Sequence, residues 1–403
     1  MPALIVLLSM VGFIVIAVMR VTDPLLPVLA QDFGMSVGRV GMVVTAFAIP
    51  YGLCQLVYGP AGDRYGKLHV VTATLALSAL FIFASAFAPG IETLTALRFL
   101  SGALMAATVP LSMAFIADNI DYTVRQATLA RYLGGLILGQ IMGGGLGGVL
   151  ADLMGWRRIF LLFGVTTAVM AALLWSQTRH RIEPRKDVAL TGRALFRPYL
   201  EILRDGHARG VLVTVALEGF LFFGAMAYVG AYIKTRFAVS YTVIGLLLTC
   251  FGLGGLVYAA QVRRIIPLLG ERGMLIAGAL AMACCYSALG FVPDWPWVAP
   301  TLVGLGFGFY MMHNTLQLRA TELAPQARGT AVALFAFSLF AGQGTGVALL
   351  GAAIDRVGYR APFLISGIGI ALLGLWYQYR LSTPGSAPDR SPPRVPSPSP
   401  ADD

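Results

Sequence analysis

Five ionisable residues stand well inside long apolar stretches of this 403-residue chain: Arg20, Asp23, Arg98, Glu218 and His313. They are two of 19 acids, two of 29 lysines and arginines, and one of four histidines. A charged side chain at the middle of a bilayer costs at least about 2.5 to 3.5 kcal/mol on insertion scales, so such residues are retained for a use. Asp23 and Glu218 are carboxyls that can carry a proton or hold a cation. Burial raises a carboxyl pKa and a nearby arginine lowers it, and the balance can place titration in the working range. Arg20, one turn before Asp23, leaves a static ion pair as the alternative. Glu218 reads either as an acid within a cavity or as one near a membrane interface that reaches headgroups. His313 lies with Gly306, Tyr310 and Gln317 in a polar stripe at helical spacing, with Asn314 beside it, and such a stripe should face a cavity rather than lipid. The histidine is then a ligand or proton relay, or a hydrogen-bonded packing residue. Arg20, Glu218, Tyr228, Tyr310, His313, Asn314 and Gln317 form the candidate lining of a substrate cavity. No His, Cys and carboxylate cluster has metal-ligand spacing and no nucleophile–base pair supports catalysis, so neither metal, cofactor nor enzyme activity is expected.

The elements that must position these residues are membrane helices. Hydrophobic residues make up 57% of the chain and charged residues 12%, against about 45 to 50% and about 25% in soluble domains. Runs long enough to cross about 30 Å of hydrocarbon recur near 3–31, 40–58, 69–88, 93–116, 128–150, 158–176, 209–232, 242–262, 271–292, 297–318, 328–350 and 361–379. In lipid each run must satisfy its own backbone hydrogen bonds, which makes it a helix. The first run lacks a basic leader and a small-residue cleavage site, and is expected to be retained as a helix. Cys54, Cys250, Cys284 and Cys285 all lie in apolar runs, which argues for packing and against an extracellular disulfide framework.

A net charge of +10 raises the question of a nucleic-acid partner, and the distribution of the charge answers it. Connections after the even-numbered runs, with the C-terminal tail, hold 20 of the 29 basic residues, and odd-numbered connections hold 7. By the positive-inside rule both termini are cytoplasmic in a multi-pass inner-membrane protein, and the partner is the bilayer.

The chain repeats itself. Gly139-Gln140 and Gly143, followed by Asp152, Gly155, Trp156, Arg157 and Phe160, recur 203 residues later as Gly342-Gln343, Gly346, Asp355, Gly358, Tyr359, Arg360 and Phe363. An offset of 204 superimposes Phe33, Ser36, Gly41, Gly66 and Gly102 on Phe237, Ser240, Gly245, Gly270 and Gly306. The expected fold is all-α integral membrane: twelve transmembrane helices in two pseudo-symmetric six-helix bundles, at 1–176 and 209–380. Such duplication often places a substrate path between the halves. Residues 177–208 form a basic central loop in which Phe196, Tyr199, Leu200 and Leu203 fall at amphipathic spacing, and 381–403 read as a disordered Pro- and Ser-rich tail.

The connection after the second run, Gly59-Pro-Ala-Gly62-Asp63-Arg64-Tyr-Gly66-Lys67, resembles the signature loop of the major facilitator superfamily. Gly59, Asp63, Arg64, Gly66 and Lys67 occupy the family positions, and Leu68 replaces a second basic residue. The resemblance implies that Asp63 caps the helix beginning near Arg328 when the protein is open to the outside, which makes the loop a conformational latch. Asp118, Asp121, Arg125, Glu322 and Arg328 lie nearby in sequence or in neighbouring connections. Arg98-Phe-Leu-Ser-Gly102 resembles a second family motif whose arginine tunes proton release, and Asp23-Pro-Leu-Leu-Pro27 resembles the protonatable helix of drug/proton antiporters. Asp23 and Arg98 are therefore the expected proton-coupling pair. Gly139, Gly143, Gly144, Gly147 and Gly148 resemble the antiporter motif of exporters, with Gly144 where proline is expected. Small residues at this spacing also simply let helices approach.

No nucleotide-binding loop is present, so energy should come from an ion gradient. The resemblance implies a monomeric secondary transporter with a small-molecule substrate and protons as partners, moving amphiphiles or metabolites outward by alternating access. Proton-coupled uptake and a non-transporting receptor are the alternatives.

Overall fold

The computed structural model describes residues 2–180, 192–324 and 327–382, and within them every regular element is helical. The helices are α1 (Pro2–Phe33), α2 (Val37–Tyr65), α3 (Lys67–Ser85), α4 (Ile91–Asn119), α5 (Tyr122–Thr178), α6 (Gly192–Arg204), α7 (Gly206–Phe237), α8 (Tyr241–Leu289), α9 (Val298–Glu322), α10 (Arg328–Val357) and α11 (Arg360–Ser382). Nine are long and apolar enough to cross a membrane. Two of those nine cross twice. At about 1.5 Å per residue, 57-residue α5 would run about 85 Å, far beyond one bilayer. It folds back at Gly155, and 49-residue α8 does the same at Gly270. The twelfth crossing is α9, whose Tyr310, His313, Asn314 and Gln317 dilute its hydropathy.

The internal repeat governs the turns. Gly66 and Gly270 adopt φ of 94° and 61°, and Gly155 and Gly358 adopt 72° and 76°, a region in which any side chain is strained. Each half therefore reverses direction at equivalent glycines. The buried apolar residues form two main cores, one built on α1 to α5 and one on α7 to α11. Apolar burial drives little helix association in lipid, so contact depends on close backbone approach through small residues. Gly139 of α5 lies against Phe13 and Ile16 of α1, and Gly143 against Ala17 and Arg20. On its other side Gly148 meets Gly245 of α8, joining the halves.

Two faces can be told apart. The turns at Gly66 and Gly270, with α6, lie on the face of the basic connections, hereafter the basic face; the turns at Gly155 and Gly358 lie on the far face. The expected amphipathic segment is α6, and residues 383–403 of the expected tail lie outside the described residues.

Candidate functional site

The charged residues of the first half gather where α1 breaks. Pro24 has no N–H for the carbonyl of Arg20, and Pro27 none for that of Asp23, so the helix is interrupted after Arg20. Arg20 donates through Nε to Oε1 of Gln140 at 2.8 Å, and its guanidinium lies 3.8 Å from an Asp23 oxygen. It also sits 4.3 Å above the ring of Phe223 in α7, so one side chain touches both halves. Arg98 is 1% exposed. It donates one hydrogen bond, to the Val18 carbonyl at 3.2 Å, and stacks on Phe47 at 4.2 Å. Among the described residues its Nε and Nη1 have no hydrogen-bond partner, and neither does Oδ1 of Asp23. Buried polar atoms left unpaired are costly, so this cluster is held at an energetic cost that the packing around it must offset.

The second half holds a tighter pair. Glu218 is fully buried, and its Oε2 lies 2.9 Å from Nδ1 of His313. Its other oxygen has no partner. Directly after Glu218 the helix widens into a π-bulge, Gly219–Phe223, a local irregularity frequent at functional sites. Gly219 thereby packs on Leu339 and Gln343 of α10. His313 stacks on Phe309 with ring centroids 4.8 Å apart and leans on Phe335 at 5.4 Å. Phe309 in turn stacks on Phe222 at 4.5 Å.

The rest of the expected cavity lining divides. Tyr310 packs on Phe251 and Gly255 of α8, and Asn314 engages the hydroxyl of Tyr258 on the same helix. Gln317 is exposed. Tyr228 lies in the far-face seam, its hydroxyl donating to the Val347 carbonyl at 2.8 Å. The polar stripe of α9 therefore faces α8 over much of its length, and His313 alone reaches Glu218.

At the basic face Lys67 bridges Asp63, at 3.1 Å, and Asp118, at 2.6 Å. The resemblance places Asp63 at the start of α10 only when the protein is open to the outside; in the present arrangement its partner among the described residues is Lys67. Asp63, Lys67, Gln55 and Thr330 line a cavity of about 400 Å³ between the halves. Arg64 stacks on Tyr65, Arg125 donates to the Ile120 carbonyl, Glu322 pairs with Arg319 at 4.0 Å, and Asp118 joins the Lys67 bridge. Tyr199 of α6 borders the same cavity and donates to the Leu56 carbonyl of α2 at 2.8 Å.

The glycines of α5 serve two contacts. Gly139, Gly143 and Gly147 face α1, whereas Gly144 and Gly148 face Leu248 and Gly245 of α8. Sequence reasoning missed Phe223 beneath Arg20 and the pairing of Glu218 with His313 across 95 positions. The α6 hydrophobic pattern flagged Tyr199 without its acceptor.

The Major Facilitator Superfamily profile matches residues 8–346 and 232–401. The chain is 26% identical over 337 residues to the uncharacterized MFS-type transporter YceJ of Bacillus subtilis, covering 82% of this chain and 83% of that one. It is 24% identical over 370 residues to a multi-drug resistance efflux pump PmrA homolog of Lactococcus lactis, covering 88% of each. The crystal structure of the nucleoside transporter NupG superimposes with a TM-score of 0.79 at 12% identity, covering 93% of this chain and 99% of that one. With its duplicated bundles, its signature loop and a profile match running almost end to end, the chain belongs to the Major Facilitator Superfamily of membrane transporters.

Proposed function

We propose that the protein exports small amphiphilic molecules in exchange for protons, from an inner membrane in which the basic face is cytoplasmic. The carrying observation is Asp23, held 3.8 Å from Arg20 at a broken helix, with one carboxyl oxygen that has no hydrogen-bond partner. A carboxyl in this setting can gain and lose a proton without a large rearrangement, and Arg98 supplies a fixed positive charge inside the same bundle. Arg20 reports the state of Asp23 to the other half through Phe223. Rocking of the bundles about the glycine contacts would alternately expose the cluster to each side. The resemblance to an efflux pump over 88% of the chain supports the outward direction.

Proteoliposomes carrying an internal pH indicator test the reading. With ethidium as the probe, solute flux and counterflow of protons should rise together and both should stop when the pH gradient is collapsed. Flux that ignores the gradient would refute proton coupling. For orientation, a reporter fused after residue 380 should report cytoplasm and one near Asp294 the outside; reversal of both would invert the assignment.

A further inference from the structure

The repeated Asp152 and Asp355 have no part in the proton-coupling proposal, yet each reaches across to the opposite half. Asp152, in the first limb of α5, accepts hydrogen bonds at the start of α8: from the amide of Tyr241 at 3.2 Å, the amide of Thr242 at 2.6 Å and the Thr242 hydroxyl at 2.7 Å. Asp355, near the end of α10, accepts at the start of α2: from the Ser36 hydroxyl at 2.6 Å and the amide of Gly38 at 2.9 Å. The first half thus caps a helix of the second, and the second caps the equivalent helix of the first. The capped helices, 29 and 49 residues long, each begin with unsatisfied N–H groups and the positive end of the helix dipole. Both capped helices also start at a repeat-related serine, Ser36 and Ser240, whose oxygen accepts from the helix's own first turn. Glycines keep the paired helices close: a side chain on Gly148 would strike Gly245 of α8, and one on Gly38 would strike Gly351 of α10.

We infer that Asp152 and Asp355 are gating residues of the transport cycle, two reciprocal clasps that hold the far face shut. A path to that face opens only if α5 leaves α8 and α2 leaves α10, and neither carboxylate can follow because each is fixed to its own half. The clasps therefore exist in the closed arrangement and are absent in the open one, so they set the balance between the two whatever the solute.

The test is a distance measurement between spin labels at Gln31 and Arg236, the far-face ends of α1 and α7, in full-length protein with its four cysteines replaced by serine. Asp152→Ala and Asp355→Ala should each raise the far-face-open fraction about fivefold, as for one lost helix cap, and the double variant by about the product. Asparagine at either site keeps an acceptor oxygen and should restore part of the closed population. Asp32→Ala is the control. Asp32 is also a far-face carboxylate, but it bonds Trp156 and Arg157 of its own half, so its removal should leave the distances unchanged. A double alanine variant with the wild-type distribution, or an equal shift from Asp32→Ala, would overturn the inference. Should an alanine variant fail to fold, hydrogen exchange in the wild-type protein decides: the amides of Gly38, Tyr241 and Thr242 should be protected, and exchange as fast as at uncapped helix starts would overturn it.

Discussion

The two halves share a fold and an ancestral sequence but hold their buried charge differently. In the first, Arg20, Asp23 and Arg98 lie together with three polar atoms of Asp23 and Arg98 unpartnered, and Arg20 is shared with Phe223 of the opposite half. In the second, Glu218 and His313 form a direct pair under a stack of phenylalanines, with one Glu218 oxygen left without a partner among the described residues. A loose cluster at the boundary between halves is suited to link protonation to rocking, because its bonds can be remade when the boundary moves. A tight pair inside one half moves with that half, and it can act only by exchanging one partner for another. Duplication thus supplied one scaffold with two differently arranged groups of buried charge.

The sharpest test of this division is Asp23→Asn. Gradient-driven transport should fall below detection while ligand binding, followed by thermal shift, persists. Proton release at full stoichiometry on ligand binding in that variant would move coupling to Glu218 and His313. Next in size, Arg98→Ala should reduce coupled transport at least about tenfold and also lower thermal stability, since a fully buried side chain stacked on Phe47 is lost. Normal coupling in a folded Arg98→Ala protein would make the arginine a packing residue. Glu218→Gln should weaken transport of cationic solutes about tenfold and spare neutral ones, because one charge is removed while the carboxamide keeps an acceptor for His313. Equal loss of both solute types would assign Glu218 to folding or coupling instead of cation recognition. Smallest is Asp63→Asn. Its partner Lys67 belongs to the same half and retains Asp118, so the conformational balance should move by no more than about 1 kcal/mol, toward states open at the basic face. Labelling of single cysteines lining the 400 Å³ cavity measures it, and unchanged labelling would leave the loop as a turn.

Helix number and repeat register were legible because a bilayer imposes its thickness on every crossing and because turns without a tolerable side-chain conformation must be glycine. Gly66, Gly155, Gly270 and Gly358 all adopt positive φ at the places where the repeat set them. The four buried ionisable residues and the part-buried His313 were legible for a related reason, that lipid penalises each of them. Their partners were not. Glu218 and His313 are separated by 95 positions, and no periodicity links them. Tyr228 and Tyr310 looked equivalent as cavity aromatics, yet the hydroxyl of one is fixed in the far-face seam and the other, packed on α8, lies within electrostatic reach of Arg20. In a helix apolar all round, the pattern that marks a buried face in water vanishes, and only contacts in three dimensions tell lining from packing. Asp152 and Asp355 stood out as a repeat from the start, but a capping carboxylate at a loop edge has the same sequence as a solvated one.

The contact of Gly148 with Gly245 carries an implication for how such a protein evolves. A built side chain at Gly148 would lie 2.6 Å from the Cα of Gly245, a backbone atom that no rotamer change can move aside. A single methyl group there must wedge α5 and α8 apart at the far face. At Gly144, one turn earlier, the nearest atom is a Leu248 side-chain carbon at 3.4 Å, so alanine fits with slight adjustment. Neighbouring positions on one helix thus offer a coarse and a fine setting of the resting conformation, reachable by one-carbon substitutions that leave every charge and the binding chemistry untouched.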